Sequence, residues 1–219
     1  MAPARDARSC GHVVVTVRSG EGDWPETGRF ADTLDYAVYG PVASALVLAH
    51  RTALDLLDKV AVTANHYFAI GQVPRKVFFG SLWRQSGKKK AGASPLAPEV
   101  EKAIRAGAPA LYALVELADD YEDEHGILRP QKALRNAGTH RFVVLHDLED
   151  PAESRQAPEI ERREQERFVQ EMLGALRAAR AAVQMLTLAI TQRERSLATE
   201  ANGGRIGMLL PDHKWLRGR

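Results

Sequence analysis

The 219-residue sequence predicts an all-α fold that begins with a short irregular or single-strand arm and finishes on a long helix. Three observations carry that expectation. Apolar residues recur at three-to-four spacing in successive segments, prolines open those segments as they open helices, and only Val13 to Val17 has the β-branched run of a strand. The boundaries follow: 1–33 an N-terminal arm, 34–204 one helical domain, 205–219 a C-terminal tail.

Val13-Val14-Val15-Thr16-Val17 is stopped by Ser19-Gly20-Glu21-Gly22-Asp23, and a lone strand cannot make a sheet. A floppy arm, a strand paired across a dimer and a remnant of something longer upstream all stay open. From Pro41, Ala45, Leu46, Ala49, Ala53, Leu56, Leu57, Val60 and Ala64 mark a long core helix that lasts until Gly71. His50 and His66 lie on it about 24 Å apart in rise, too far to share a metal, and read as structural. Gln72 to Pro98 is a glycine- and proline-punctuated connector whose Phe78, Phe79 and Trp83 tuck under the core; Trp83 beside Arg84 has base stacking as its other reading.

Glu99 to Ala106 predicts a short helix, and Pro109 opens another through Leu111, Leu114, Val115 and Ala118 that Gly126 ends. The carboxylates Asp119, Asp120, Glu122, Asp123 and Glu124 near its end lack the alternating spacing of a calcium loop and read as a solvated acidic face. Pro130 starts a helix with apolar positions Ala133, Leu134, Ala137, Val143, Val144 and Leu145, ending near Asp147. After a linker over 149–157, Pro158 opens a last helix that runs toward Asn202-Gly203, with Phe168, Met172, Leu176, Ala179, Val183, Leu186 and Ile190 as its apolar stripe. The tail from Arg205 to Arg219 carries Met208, Leu209, Leu210 and Trp215, a docking peptide without a recognisable code.

Composition narrows the classes. Hydrophobic residues at 45% and charged residues at 26% fit one folded domain. The single cysteine, Cys10, excludes an internal disulfide and a cysteine cage for zinc, and fits a reducing cytoplasm. No uninterrupted apolar run spans a bilayer, and the arm lacks the apolar stretch of a secretory signal. A net charge of +2 does not announce nucleic acid, but its distribution is uneven. Arg84 with Lys88, Lys89 and Lys90 forms a basic connector, and Arg129, Lys132, Arg135 and Arg141 bracket one helix. The lysine run reads as RNA contact or as a solubilising loop.

Leu134-Arg135-Asn136-Ala137-Gly138-Thr139-His140-Arg141-Phe142 is the most chemically loaded segment. On a helix Asn136 and His140 share a face and Arg135 lies about 100° round, close enough for the three polar heads to converge. Gly138 inside the helix costs about 1 kcal/mol relative to alanine, which close approach of a second backbone or of a substrate phosphate would explain. An ordinary polar helix surface is the plain alternative, for Thr139 and Arg141 as for the rest.

This segment resembles the arginine–asparagine–x(3–5)–histidine signature of HEPN domains, the all-helical family named for higher eukaryotes and prokaryotes nucleotide-binding. Further segments are similar to one bacterial subfamily and come in the expected order: Thr33-Leu34-Asp35-Tyr36 with Tyr39-Gly40, Leu56-Leu57-Asp58-Lys59-Val60-Ala61, Val77-Phe78-Phe79-Gly80-Ser81-Leu82-Trp83 and Ala110-Leu111-Tyr112. The similarity covers roughly 33–200. It departs from the family pattern at Gly138, where larger residues are common. The resemblance implies an antiparallel helical bundle, a homodimer whose motif helices face each other, and a metal-independent ribonuclease of toxin or antiviral-defence type, with an antitoxin or other regulatory protein as a possible partner. A non-catalytic module that binds RNA, nucleotide or a regulatory partner is the alternative, and a purely structural helical adaptor a third.

The chemistry needs no metal and no cofactor. Histidine titrates near neutral pH, so His140 suits the base or acid role; Arg135 stays protonated and clamps phosphate; Asn136 orients phosphate or His140 through its amide. Thr139, Arg141, Lys132 and Lys88 to Lys90 are the candidate RNA contacts. One histidine serves poorly as both acid and base, which a dimer would remedy. His146 falls about 120° off the face of His140 and reads as a helix-end histidine.

Overall fold

The computed structural model describes residues 30–31, 37–85, 94–140, 142–146 and 160–200. The strand reading of Val13 to Val17, the lysine run Lys88 to Lys90, Arg141 and the C-terminal tail fall outside them. Strands β1 (Phe30–Ala31) and β2 (Ala37–Tyr39) lead into helix α1 (Pro41–Tyr67); a single 3-10 turn (Pro74–Lys76) follows, then α2 (Pro98–Arg105), α3 (Leu111–Glu122), α4 (Arg129–His140), β3 (Phe142–His146), β4 (Ile160–Glu164) and α5 (Gln165–Glu200).

Helices dominate, as expected. α1 starts on Pro41, whose fixed φ and missing N–H suit a first turn, and ends where Ala69 (φ 52°) and Gly71 (φ 85°) turn the chain left-handed. Asn65 locks that turn by accepting the Gln72 N–H (3.0 Å) and donating to the Gln72 carbonyl (2.8 Å). α5 is 36 residues long, about 54 Å. Its alanines 175, 178, 179, 182 and 189 are buried in the same cluster as Ala53, Ala61 and Ala64 of α1, small side chains that let the two helices lie close. By length and composition a stretch of α5 could cross a membrane, but its alanine side is the packed seam of the bundle.

Among the described residues two hydrophobic clusters divide the core. The larger joins the second half of α1, α2, α3 and α5, with Val77, Phe79, Leu82 and Trp83 of the connector folded beneath them. Trp83 is 1% exposed and donates its indole N–H to the Phe79 carbonyl (2.6 Å), so it packs the core and presents no face to a base. The smaller cluster gathers Leu46 and Ala49 of α1, Leu134 of α4, Leu145 of β3, and Phe168, Val169 and Met172 of α5. It is the seat of the motif helix.

The end of that helix and the start of the last one differ from the sequence expectation. α4 stops at His140, and Phe142-Val143-Val144-Leu145-His146 forms an inner strand of a sheet ordered β1-β2-β3-β4. A contiguous β-branched and aromatic run cannot put all its apolar groups on one helix face, whereas a strand flanked on both edges can use them. β3 runs antiparallel to β2 (Val38 opposite Leu145) and parallel to β4 (Phe142 opposite Ile160 through His146 opposite Glu164). β4 has the sequence Ile-Glu-Arg-Arg-Glu, which carries no strand signal; Arg163 pairs with Glu161 at 2.7 Å within it. α5 therefore begins at Gln165 rather than near Pro158.

Candidate functional site

α4 is fixed by what its inner side buries. Leu134 (2% exposed) enters the small cluster, and the Gln131 amide oxygen meets the His50 Nε2 at 2.7 Å. His50 also lies against the Phe168 ring, 5.4 Å between centroids. Burial pushes the His50 pKa below its ordinary value, and the Gln131 bond opposes this only in part. The structural reading of His50 thus holds; His66 stands exposed at the end of α1.

Arg135 does not point outward. Its Nε and Nη2 donate to Asp55 Oδ1 (3.1 and 2.8 Å), and Nη2 also donates to Asp58 Oδ2 (2.7 Å). Asp58 uses its other oxygen to accept the Phe79 N–H at 2.8 Å, tying the connector to the same network. Burial works to lower the Arg135 pKa, but hydrogen bonds to Asp58 and Tyr121 and their charges outweigh it, holding the guanidinium well above the usual range. Tyr121 is raised in turn by burial, with Arg135 pulling it back. Asp55 has a second cation near it, Arg51 at 3.8 Å.

The remaining site candidates divide by position. Asn136 is exposed, beside Arg135 but round the helix from it. The helix stays continuous through Thr139 and His140, so the four-residue relation of Asn136 to His140 is kept along its backbone. Lys132 is paired with Glu122 and lies 5.6 Å from the centre of the Tyr121 ring. His146, read as a helix-end residue, is instead fully buried in β3, with its Nε2 3.4 Å from Arg162 Nη1.

The acidic run of α3 has specific internal partners instead of a simple solvated face. Asp119 holds Arg84 through two hydrogen bonds, which raise the Arg84 pKa, with burial opposing. Asp120 accepts the N–H groups of Ile127 and Leu128, both at 2.9 Å, and Asp123 that of His125 at 2.8 Å. Glu122 receives Lys132 and approaches Arg129 at 3.9 Å. Among the described residues no group of three or more His, Cys, Asp or Glu side chains is placed to hold a metal.

Asp55, Asp58 and Tyr121 are the residues the sequence reading missed. A signal existed: Asp58 stands with Lys59 between the apolar pairs Leu56-Leu57 and Val60-Ala61, and a carboxylate on a part-buried helix face calls for a cation. The fold is a helical bundle in which Arg135, Asn136 and His140 follow one another along one helix that abuts a small sheet. The chain matches the model of the LA2681-like HEPN family over residues 24–193 and belongs to that family. No curated protein and no solved structure matches it. HEPN domains serve as ribonuclease or nucleotide-binding modules.

Proposed function

We propose that this chain is a metal-independent endoribonuclease that leaves 2′,3′-cyclic phosphate and 5′-hydroxyl ends, acting in the cytoplasm in a toxin or antiviral-defence setting. The observation that carries the reading is Arg135, Asn136 and His140 on one helix continuous through His140, in a chain of this family. The RNA 2′-oxygen attacks the adjacent phosphorus, the bond to the 5′-oxygen breaks, and protons pass from the 2′-hydroxyl and to the 5′-oxygen. His140 is one proton carrier and its copy in a facing protomer the other. Arg135 clamps the crowded phosphorane and Asn136 orients it. Thr139, Arg141, Lys132 and Lys88 to Lys90 hold flanking phosphates, and an antitoxin or similar protein restrains the activity.

One observation favours the second reading, a non-catalytic module. The Arg135 guanidinium is engaged by Asp55 and Asp58, as a structural tie would be. The deciding experiment incubates wild-type and His140→Ala protein with total RNA and a defined tRNA in excess EDTA, and maps the ends. Cuts made by wild type alone, ending in 2′,3′-cyclic phosphate, support the nuclease; intact RNA with both proteins gives the binding module the lead.

A further inference from the structure

A cleft of about 310 Å³ opens between the end of β2, the first half of α1 and β3, with Val38, Ala43, Ser44, Val47, Arg51 and Val143 among its lining. Its origin is topological. The register of β2 with β3 stops at Val38 opposite Leu145, while β4 pairs with the whole of β3. Where β2 gives way to Gly40 and α1, the β3 backbone edge away from β4 borders the cleft instead of a strand. The size lies at the low end for small-molecule sites, enough for one compact ligand.

Two links join the cleft to the motif. Val143 comes three residues after His140, so the strand that forms one wall emerges directly from the end of α4. Arg51, on the opposite wall, sits 3.8 Å from the carboxylate of Asp55, and the same carboxylate holds Arg135 at 2.8 Å. Two guanidinium groups therefore flank one aspartate, one at the cleft and one at the motif. A chain that carries a negative charge at each repeat and a flat, part-apolar group between charges matches that arrangement.

We propose that this cleft is a nucleobase subsite, taking the base of the RNA nucleotide next to the phosphate at the motif, with Arg51 on a neighbouring phosphate. The assignment rests on the nuclease or RNA-binding reading of the same site. Val38, Ala43, Val47 and Val143 enclose the base, while Ser44 and the β3 backbone edge offer polar groups to its rim. Walls of this kind discriminate by size more than by pattern, so the preference is between purine and pyrimidine, on the order of tenfold.

The test uses Ser44→Phe, a substitution at an exposed helical position that fills the cleft mouth, and Arg51→Ala. Binding of uridine 3′-monophosphate and adenosine 3′-monophosphate is titrated by NMR, and cut sites are mapped where RNA is cleaved. The expected result is saturable binding of one mononucleotide to wild type, weakened about tenfold or more in both variants, with unchanged melting temperatures and a redistribution of cuts among flanking bases. Equal binding and an unchanged cut pattern in the variants overturn the subsite even if the protein is a nuclease. Mononucleotide binding lost in Ser44→Phe upholds it even if no RNA is cut, which separates its fate from that of the nuclease reading. A Ser44→Phe protein that changes its sedimentation but not its mononucleotide binding assigns the cleft to self-association and also overturns it.

Discussion

Arg135 of α4 and Asp58 of α1 are joined at 2.7 Å, and both side chains are less than a quarter exposed (23% and 21%). The same Asp58 carboxylate accepts the Phe79 N–H, so one side chain ties the motif arginine, α1 and the connector together. Asp58→Ala leaves a half-buried guanidinium and a backbone N–H short of acceptors. The expected loss is about 1–3 kcal/mol of stability by denaturant unfolding. A double-mutant cycle with Arg135→Ala should show a coupling of about 0.5–3 kcal/mol, and strict additivity would dissolve the tie as an energetic unit.

Lys132 faces two demands, its pair with Glu122 and the proposed RNA contact. As a part-exposed pair its contribution to stability is below about 1 kcal/mol. If Lys132 also meets a phosphate, Lys132→Ala weakens binding of all RNA sequences alike and flattens the plot of log affinity against log salt by about one unit. Anisotropy titrations of a labelled RNA over a salt series measure that slope. An unchanged slope would leave Lys132 as a partner of Glu122 alone.

Two glycines should respond with opposite signs. A Cβ on Gly126 would stand 1.8 Å from the Asp120 backbone oxygen, in the turn that delivers the chain into α4, so Gly126→Ala must shift backbone and cost about 1–3 kcal/mol. Gly174, inside α5, has nothing within 4 Å of the same atom. Gly174→Ala should stabilise by about 0.5–1 kcal/mol, since glycine in a helix interior is entropically costly. Thermal unfolding of the pair reads both signs at once.

These helices were legible where three-to-four periodicity and a proline start coincided: α1 from Pro41, α3 just after Pro109 and α4 near Pro130 each begin within a residue or two of such a signal. The sheet was not. Val143 and Val144 fit an apolar tally for a longer α4, and only the flanking strands decide that they extend. Ile160 to Glu164 forms a strand through its pairing with β3, a long-range cause invisible in Ile-Glu-Arg-Arg-Glu. At the site, sequence spacing placed Arg135, Asn136 and His140 on one helix. It could not show Arg135 turned toward Asp55 and Asp58, because those carboxylates lie about eighty positions away along the chain.

His50 links the stability of the motif helix to pH. It is 2% exposed, bonded to Gln131 of α4, and its pKa is lowered by burial, so protonation is easier in the unfolded chain than in the folded one. The unfolded state then binds more protons, and stability rises with pH across the interval from the folded pKa up to the unfolded value of 6.5. Its contribution is complete above that value and declines as pH falls below it. Wild-type protein should therefore melt at a lower temperature at mildly acidic than at neutral pH. His50→Gln removes the titrating ring, so its melting temperature should be lower at neutral pH but change less on acidification. A variant that keeps the full wild-type pH dependence would place the acid sensitivity elsewhere and free His50 of that role.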